Sequence, residues 1–366
     1  MILRSSFTVL VFLGVVALPL AAQHNNKDIP FADLPIRQPK EENRKQQPPP
    51  PPPREPRAAV SADTSRLVFR ASPLSSRGLL SQQTRDALHA LVRAHGTEEI
   101  LELRAFVAGS GDMRRVQEIV ADTFADKHDL PALTVVQVGA LPLERAQVVI
   151  ESTAEAKKTV NPNGVAFVSA QPAATLDGAV SKVKALLSRG GMNMNSLLRM
   201  TCFVSSLDGL TAEPEGVPIP VVIVQMQREP VRPRAACEAI ARVEQPRTGP
   251  VQFIDGNSGV ADMAVVSAPR VVMTGSQLGF GERDADVKLA FERLQKDIHD
   301  ANGDIRRTVM VHYYMLSSGV PGEVRRISGE FEGSPLPAST MLGFEGLPSI
   351  DAVFAMDVIA LPAGGQ

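Results

Sequence analysis

The sequence predicts an α+β fold repeated three times within one chain. Two observations carry this prediction. From about Thr64 onward, three stretches run through the same order of elements: a β-rich run, an amphipathic helix, a strand, a second helix in the first and third, and two closing strands. The glycines that stop the first helix of each stretch fall at 96, 191 and 303, and Phe106 and Phe203 sit alike in the strand that follows.

The opening runs are Leu67–Pro73, Val165–Pro172 and Val271–Gln277. The helices that follow are Gln83–His95, Ala179–Leu187 and Asp286–Ala301. Their apolar residues recur every three or four positions (Ala87, Leu88, Leu91; Val180, Val183, Leu187; Leu294, Ile298), the spacing of one buried helix face. The middle strands are Ile100–Val107, Leu197–Val204 and Ile305–Met315. A second helix is expected at Asp112–Phe124 and Gly322–Phe331, whereas Leu207–Gly216 is too short and too rich in Gly and Pro to form one. The closing strands are Thr134–Val138 and Val148–Ser152, then Val221–Met226 and Ala235–Val243, then Thr340–Phe344 and Ala352–Leu361. The blocks are accordingly bounded at 64–155, 160–245 and 258–362.

The remainder of the chain reads as export apparatus. Arg4, the apolar run Phe7–Leu20 and the small residues before Gln23 have the pattern of a secretory signal peptide over residues 1–22, too short for a spanning helix. Residues 23–63, with six consecutive prolines at 48–53, lack the apolar content to fold and are expected to be a disordered Pro-rich linker. Export to the periplasm or beyond places Cys202 and Cys237 where a disulfide can persist; bonded and free thiols are both open.

Composition narrows the function. The formal net charge of −2 and the 4% aromatic content offer no nucleic-acid surface, and no later apolar run is long enough to insert into a membrane. His24, His89, His95, His128, His299 and His312 form no metal-ligand spacing, and no cofactor motif is present. Gly-x-Ser-x-Gly is absent, and no Ser-His-Asp set can be assembled from the sequence.

The blocks resemble subunits of the RidA/YjgF (Rid) family. The resemblance rests on Phe167-Val168-Ser169-Ala170-Gln171-Pro172, on Leu198–Val204, on Pro131-Ala132-Leu133-Thr134 and Pro337-Ala338-Ser339-Thr340, and on Glu238-Ala239-Ile240-Ala241. It implies a chorismate-mutase-like, ferredoxin-like unit. Three such units would form a single-chain pseudotrimer, with a central sheet barrel, outer helices and ligand clefts between units. It also implies enamine/imine deaminase chemistry, in which an arginine grips the substrate carboxylate and a glutamate places water. The matching positions depart from this. The arginine position holds Leu133, Val221 and Ser339. The glutamate position holds Val148 or Val149, Ala236 and Ala355. The expectation is a non-catalytic protein binding a small molecule or a partner in clefts near Leu133, Val221, Ser339, Ser169, Thr274 and Arg234. The alternatives are a deaminase with a relocated arginine and a purely structural pseudotrimer. Arg70, Arg104, Arg228, Arg234, Arg306 and Arg307 are the possible relocated cations, each otherwise a solvated or barrel-end charge, and His312-Tyr313-Tyr314 reads as strand packing or as cleft lining.

Overall fold

The computed structural model describes residues 54–364, except 110, 209, 211–213, 228–233 and 256–258. The predicted signal peptide, residues 23–53 of the Pro-rich linker and Arg228 lie outside the described residues.

The first block comprises β1 (Ala59–Asp63), β2 (Leu67–Ala71), α1 (Leu80–His95), β3 (Glu99–Ala108), α2 (Met113–Thr123), β4 (Ala132–Val138) and β5 (Val148–Glu155). The second has β6 (Val165–Ala173), α3 (Leu176–Arg189), β7 (Leu197–Val204), β8 (Val222–Gln225) and β9 (Ala235–Arg242), with no second helix among the described residues. The third begins with β10 (Val251–Asp255), β11 (Ala261–Val266), β12 (Arg270–Thr274) and β13 (Gln277–Gly279). It continues through α4 (Asp284–Asp300), β14 (Gly303–Met315), α5 (Val320–Phe331), β15 (Ala338–Gly343) and β16 (Phe354–Pro362). Local chemistry sets the helix limits. Asp112 caps α2 by accepting from Arg114 N at 3.0 Å, Thr175 caps α3 by accepting from Gly178 N at 3.1 Å, and Gly96 ends α1 with φ 60°.

Each block builds the heart of one sheet, its last strand lying between the first and middle strands. The strand orders are β2-β5-β3-β4, β10-β11-β6-β9-β7-β8 and β1-β12-β16-β14-β15, with β13 on β16. Middle and outer strands run parallel in all three. The helices pack on one face of their own sheet through separate apolar cores, such as Leu88, Leu91, Val116 and Ile119 with Leu103 and Ile150 in the first block. The opposite faces of the sheets meet in the centre.

Four strands were not anticipated. β1 falls inside the stretch expected to be linker, β10 falls in the gap between blocks two and three, β11 lies at the start of block three ahead of its expected opening run, and β13 follows that run. Two of them exchange between blocks. β1 of the first block pairs with β12 of the third, and β11 of the third pairs with β6 of the second. An opening strand thus completes its neighbour's sheet and covers an edge that would otherwise be free to aggregate. The first block receives no such strand, so its sheet has four strands where the others have six.

The closed central barrel is not formed. The three sheets remain separate ladders, joined by short bridges that include Gln137 N to Gly346 O at 2.9 Å, Gln225 N to Ala140 O at 2.9 Å and Gln227 N to Gly343 O at 3.1 Å. The outer strands are too brief to extend these contacts; β8 has four residues.

Cys202 on β7 and Cys237 on β9 are directly opposite, with Cα atoms 4.1 Å apart, and are joined in a buried disulfide. It crosses the block that has no second helix among the described residues. Opening this 35-residue loop by replacing both cysteines with alanine is expected to cost about 2–4 kcal/mol. Urea denaturation of the oxidised chain and the double variant checks this; equal midpoints would contradict it.

Candidate functional site: inter-block clefts around a buried ionic centre

Register makes the three blocks superimposable residue by residue. Arg104 pairs with Glu151, Thr201 with Glu238, and His312 with Asp357. One step along, Phe106 pairs with Val149, Phe203 with Ala236, and Tyr314 with Ala355. Side chains alternate between sheet faces, so these pairs stack as layers facing the centre. The aromatic layer is a dry cluster of edge-to-face rings, Phe106 against Phe203 at 6.0 Å and Phe203 against Phe344 at 5.8 Å.

The polar layer beside it is fully buried and knits all three blocks together. Arg104 Nε donates to Glu151 at 2.8 Å, and its Nη2 bonds Glu238 of the second block. His312 Nδ1 lies 2.7 Å from Asp357, and its Nε2 lies 3.4 Å from Glu238. The outer strands add donors cyclically: Thr134 of the first block to Asp357 of the third at 2.9 Å, and Thr340 of the third to Glu238 of the second at 2.9 Å. The remaining equivalent position is Val222, which cannot donate, and Thr201 supplies Glu151 instead. Tyr314 OH also donates to Asp357 at 2.8 Å.

Electrostatics follow from this packing. Burial alone would lower the His312 pKa, but Glu238 and Asp357 outweigh it and raise it to about 9, so the ring is a cation at neutral pH. Burial would raise Glu238 and Asp357, yet Arg104 and His312 hold both below their usual values. Burial and the Asp357 charge push the Tyr314 phenol well above its ordinary value, which keeps it a neutral donor. The layer is buried and its charged groups pair across blocks, so it holds the blocks together; Arg104 Nη1 has no hydrogen-bond partner among the described residues, and a small hollow beside the layer is lined by Thr201, Glu238 and His312. Arg104, expected as a solvated or barrel-end charge, is therefore 4% exposed, and His312 and Tyr314 belong to this centre rather than to a cleft.

Open clefts lie where blocks meet. A cleft of about 520 Å³ between the first and third blocks is lined by Leu133, by Gly275–Leu278 and by residues 54–58. Gly275 is required there, because a Cβ would sit 2.9 Å from Leu133 O. A second cleft of about 550 Å³ between the second and third blocks is lined by Ser169, Gln171, Arg234, Ala236, Arg325 and Ser339, with Asp262 on the same wall. Ser169 donates to Asp262 O at 3.0 Å and so ties β6 to β11 beside this cleft.

Several expected site residues lie elsewhere. Val221 packs against the apolar core of its own block. Thr274 is buried and accepts from Val358 N at 3.0 Å. The register assigns Val149, not Val148, as the counterpart of Ala236 and Ala355; Val148 belongs to the helix-side core, and Ala355 is buried among the central aromatic rings. Of the other cations, Arg70 lies 3.6 Å from Glu98, Arg307 bonds Pro362 O, and Arg306 lines a hollow beside Glu332 and Gly333. The expectation that no Ser-His-carboxylate set could be assembled is corrected, since Ser152 Oγ lies 2.8 Å from His95 Nε2 and His95 Nδ1 lies 2.7 Å from Glu98. Ser152 is 1% exposed and outside the adjoining hollow that His95 and Glu98 line, so the set fastens α1 to β5.

Sequence reasoning overlooked Glu151, Glu238, Asp357 and Arg325. The signal for the first three was present as an acidic residue directly after three apolar ones in each last strand. Such residues are almost never fully buried unless paired.

Two outcomes test the centre. Arg104→Met would leave Glu151 and Glu238 buried without their shared cation and is expected to cost about 3–5 kcal/mol, measured by urea denaturation at pH 7. The His312 pKa is raised above its unfolded value, so its stabilisation is complete below pH 6.5 and is lost as pH rises through about 9. Stability followed from pH 6 to 10 should show that alkaline decline in the native chain and a shallower one in His312→Gln; identical slopes would refute the assignment.

Residues 74–156 match the family model described as Endoribonuclease L-PSP. Among solved structures, a YjgF-family protein from Neisseria meningitidis matches at 9% identity over 31% of this chain and 97% of its own, with a TM-score of 0.24. A member of the YjgF/YER057c/UK114 family from Mycobacterium tuberculosis matches at 16% identity over 30% of this chain and 98% of its own, with a TM-score of 0.24. RidA from the Antarctic bacterium Psychrobacter sp. PAMC 21119 matches at 17% identity over 31% and 90%, with a TM-score of 0.23. No curated protein matches the chain. The family match falls on the block that supplies Arg104 and Glu151, and over residues 74–156 the chain is similar to the Endoribonuclease L-PSP family.

Proposed function

We propose that this chain is an exported Rid-like binding protein whose three blocks act as a trimer within one polypeptide. In this reading a cleft between blocks holds a small molecule without hydrolysing it. The observation that carries the reading is the chemistry of the positions where the family resemblance implies an arginine and a glutamate. Leu133, Val221 and Ser339 carry no cation, and Val149, Ala236 and Ala355 carry no acid. Without a guanidinium at that point a carboxylate is not gripped bidentately, and without an acid water is not placed on an imine carbon. The signal-like N-terminus and the Cys202–Cys237 bond support export.

A second reading, an enamine/imine deaminase with its cation moved, is favoured by one feature. Arg234 and Asp262 line the same cleft as Ser339 and Ala236. In that reading Arg234 grips the carboxylate and Asp262 places the water. Conversion of freshly generated 2-iminopropanoate and 2-iminobutanoate to 2-oxo acids by the purified chain separates the two. The expected rate is the uncatalysed one. Acceleration that Arg234→Gln abolishes would replace the binding reading with the deaminase reading.

A further inference from the structure

Residues 54–58 follow directly on the six prolines at 48–53, lead into β1, and form one wall of the cleft between the first and third blocks. They are held at both ends. On the third block, Gly275 N donates to Ala58 O at 2.9 Å, just ahead of the pairing of β1 with β12. On the first block, Arg54 Nη1 donates to Ala125 O and Arg57 Nε to Leu130 O, each at 2.8 Å, and Arg54 Nη2 bonds His128 O. Arg57 Nη1 also lies 3.8 Å from Asp129. The segment therefore runs from one block to the other and is fastened to the loop between α2 and β4.

The three-fold register shows how this fastening differs from its counterpart. Phe167 and Met273 hold equivalent places, opposite Ile240 and Ile359. β11 sets Ala264 opposite Phe167 and β1 sets Val60 opposite Met273, so Ala261 is the counterpart of Arg57. Leu336 is the counterpart of Leu130, each standing two residues ahead of the alanine that pairs with a middle strand. In the cleft between the second and third blocks, Ala261 reaches Leu336 O with its backbone N–H at 3.2 Å. In the cleft between the first and third blocks, Arg57 reaches Leu130 O with its side chain. A backbone bond breaks only when the strand itself moves, whereas an arginine lets go by changing rotamer. Arg54 is exposed and Arg57 half-buried, so water competes for both. Segments held by few solvent-exposed hydrogen bonds are the first to open.

We propose that residues 54–58 are a releasable strap on the cleft between the first and third blocks, shut while Arg54 and Arg57 hold the α2–β4 loop and open when they let go. Access to this cleft is thereby coupled to whatever engages the chain ahead of Arg54. The cleft between the second and third blocks, where a backbone bond takes the place of the arginine, is outside this control. The inference goes beyond the binding reading and does not depend on whether a cleft binds or hydrolyses its ligand.

Thiol labelling of the full purified chain tests it. The two native cysteines are bonded to each other, so Ser276→Cys places a single free thiol in the strapped cleft and Ser339→Cys one in the other. Adding Arg54→Ala together with Arg57→Ala is expected to speed iodoacetamide modification at position 276 by about tenfold or more. The same pair should leave the rate at position 339 unchanged. Glu55→Ala trims the same wall with both arginines in place and should alter neither rate. Thermal melting checks that each variant is folded; should the double variant fail to fold, Arg54→Ala alone is expected to raise the rate at position 276 by a smaller factor. An unchanged rate at position 276 would overturn the strap. An equal rise with Glu55→Ala would also overturn it, by tracing access to bulk rather than to fastening, and so would an equal rise at position 339, by tracing it to general loosening. Imine turnover in the preceding assay bears on the proposed function alone.

Discussion

The rest of the structure depends on the guanidinium of Arg104, shared between Glu151 of its own block and Glu238 of the next. A buried ion is tolerated only when it is paired and hydrogen-bonded. Here the partners of each acid come from more than one block, so no block can leave without exposing an unpaired charge. The arrangement also fixes strand register. Side chains alternate across a strand, so a slip of one residue in β5, β9 or β16 would drive an acid into the apolar helix-side core. Apolar layers flank the ionic layer, Phe106, Phe203 and Tyr314 on one side and Phe167, Ile240 and Ile359 on the other.

The repeated template tolerates divergence because the centre compensates locally. Val222 breaks the cycle of threonine donors, and Thr201 takes over for Glu151. The second block has no second helix among its described residues, and it alone carries the cross-strand disulfide. The clefts are farther from the centre and free of its packing constraint. Their charged linings differ: Arg54, Arg57 and Arg114 with Glu55, Glu118 and Asp297 line the cleft between blocks one and three, and Arg234, Arg325 and Asp262 that between blocks two and three. A rigid, shared centre with divergent margins is the pattern expected where the margins carry function.

Much of this was legible from local pattern. Helical periodicity and glycine stops placed α1, α3 and α4, and the Phe106–Phe203 correspondence gave the register of the middle strands. What escaped was non-local. β1, β10 and β11 are short, and they are strands because another block or a neighbouring strand offers a free edge, which no local pattern reveals. Arg104 read as a surface charge because its acids lie at positions 151 and 238, far along the chain. The same distance hid Ser152, His95 and Glu98, which β5 and α1 bring together.

The sequence by itself determined the repeated α+β order and the places of the helices, because both are written in side-chain chemistry at regular spacing. Only the tertiary structure decided which charges are buried, which strands cross between blocks, and which of the substituted positions face an open cleft. Burial and pairing are properties of residues that meet across the fold. Leu133, Val221 and Ser339 share one register position, yet one closes against Gly275, one joins a core and one faces two arginines, because each is set by the block that packs opposite.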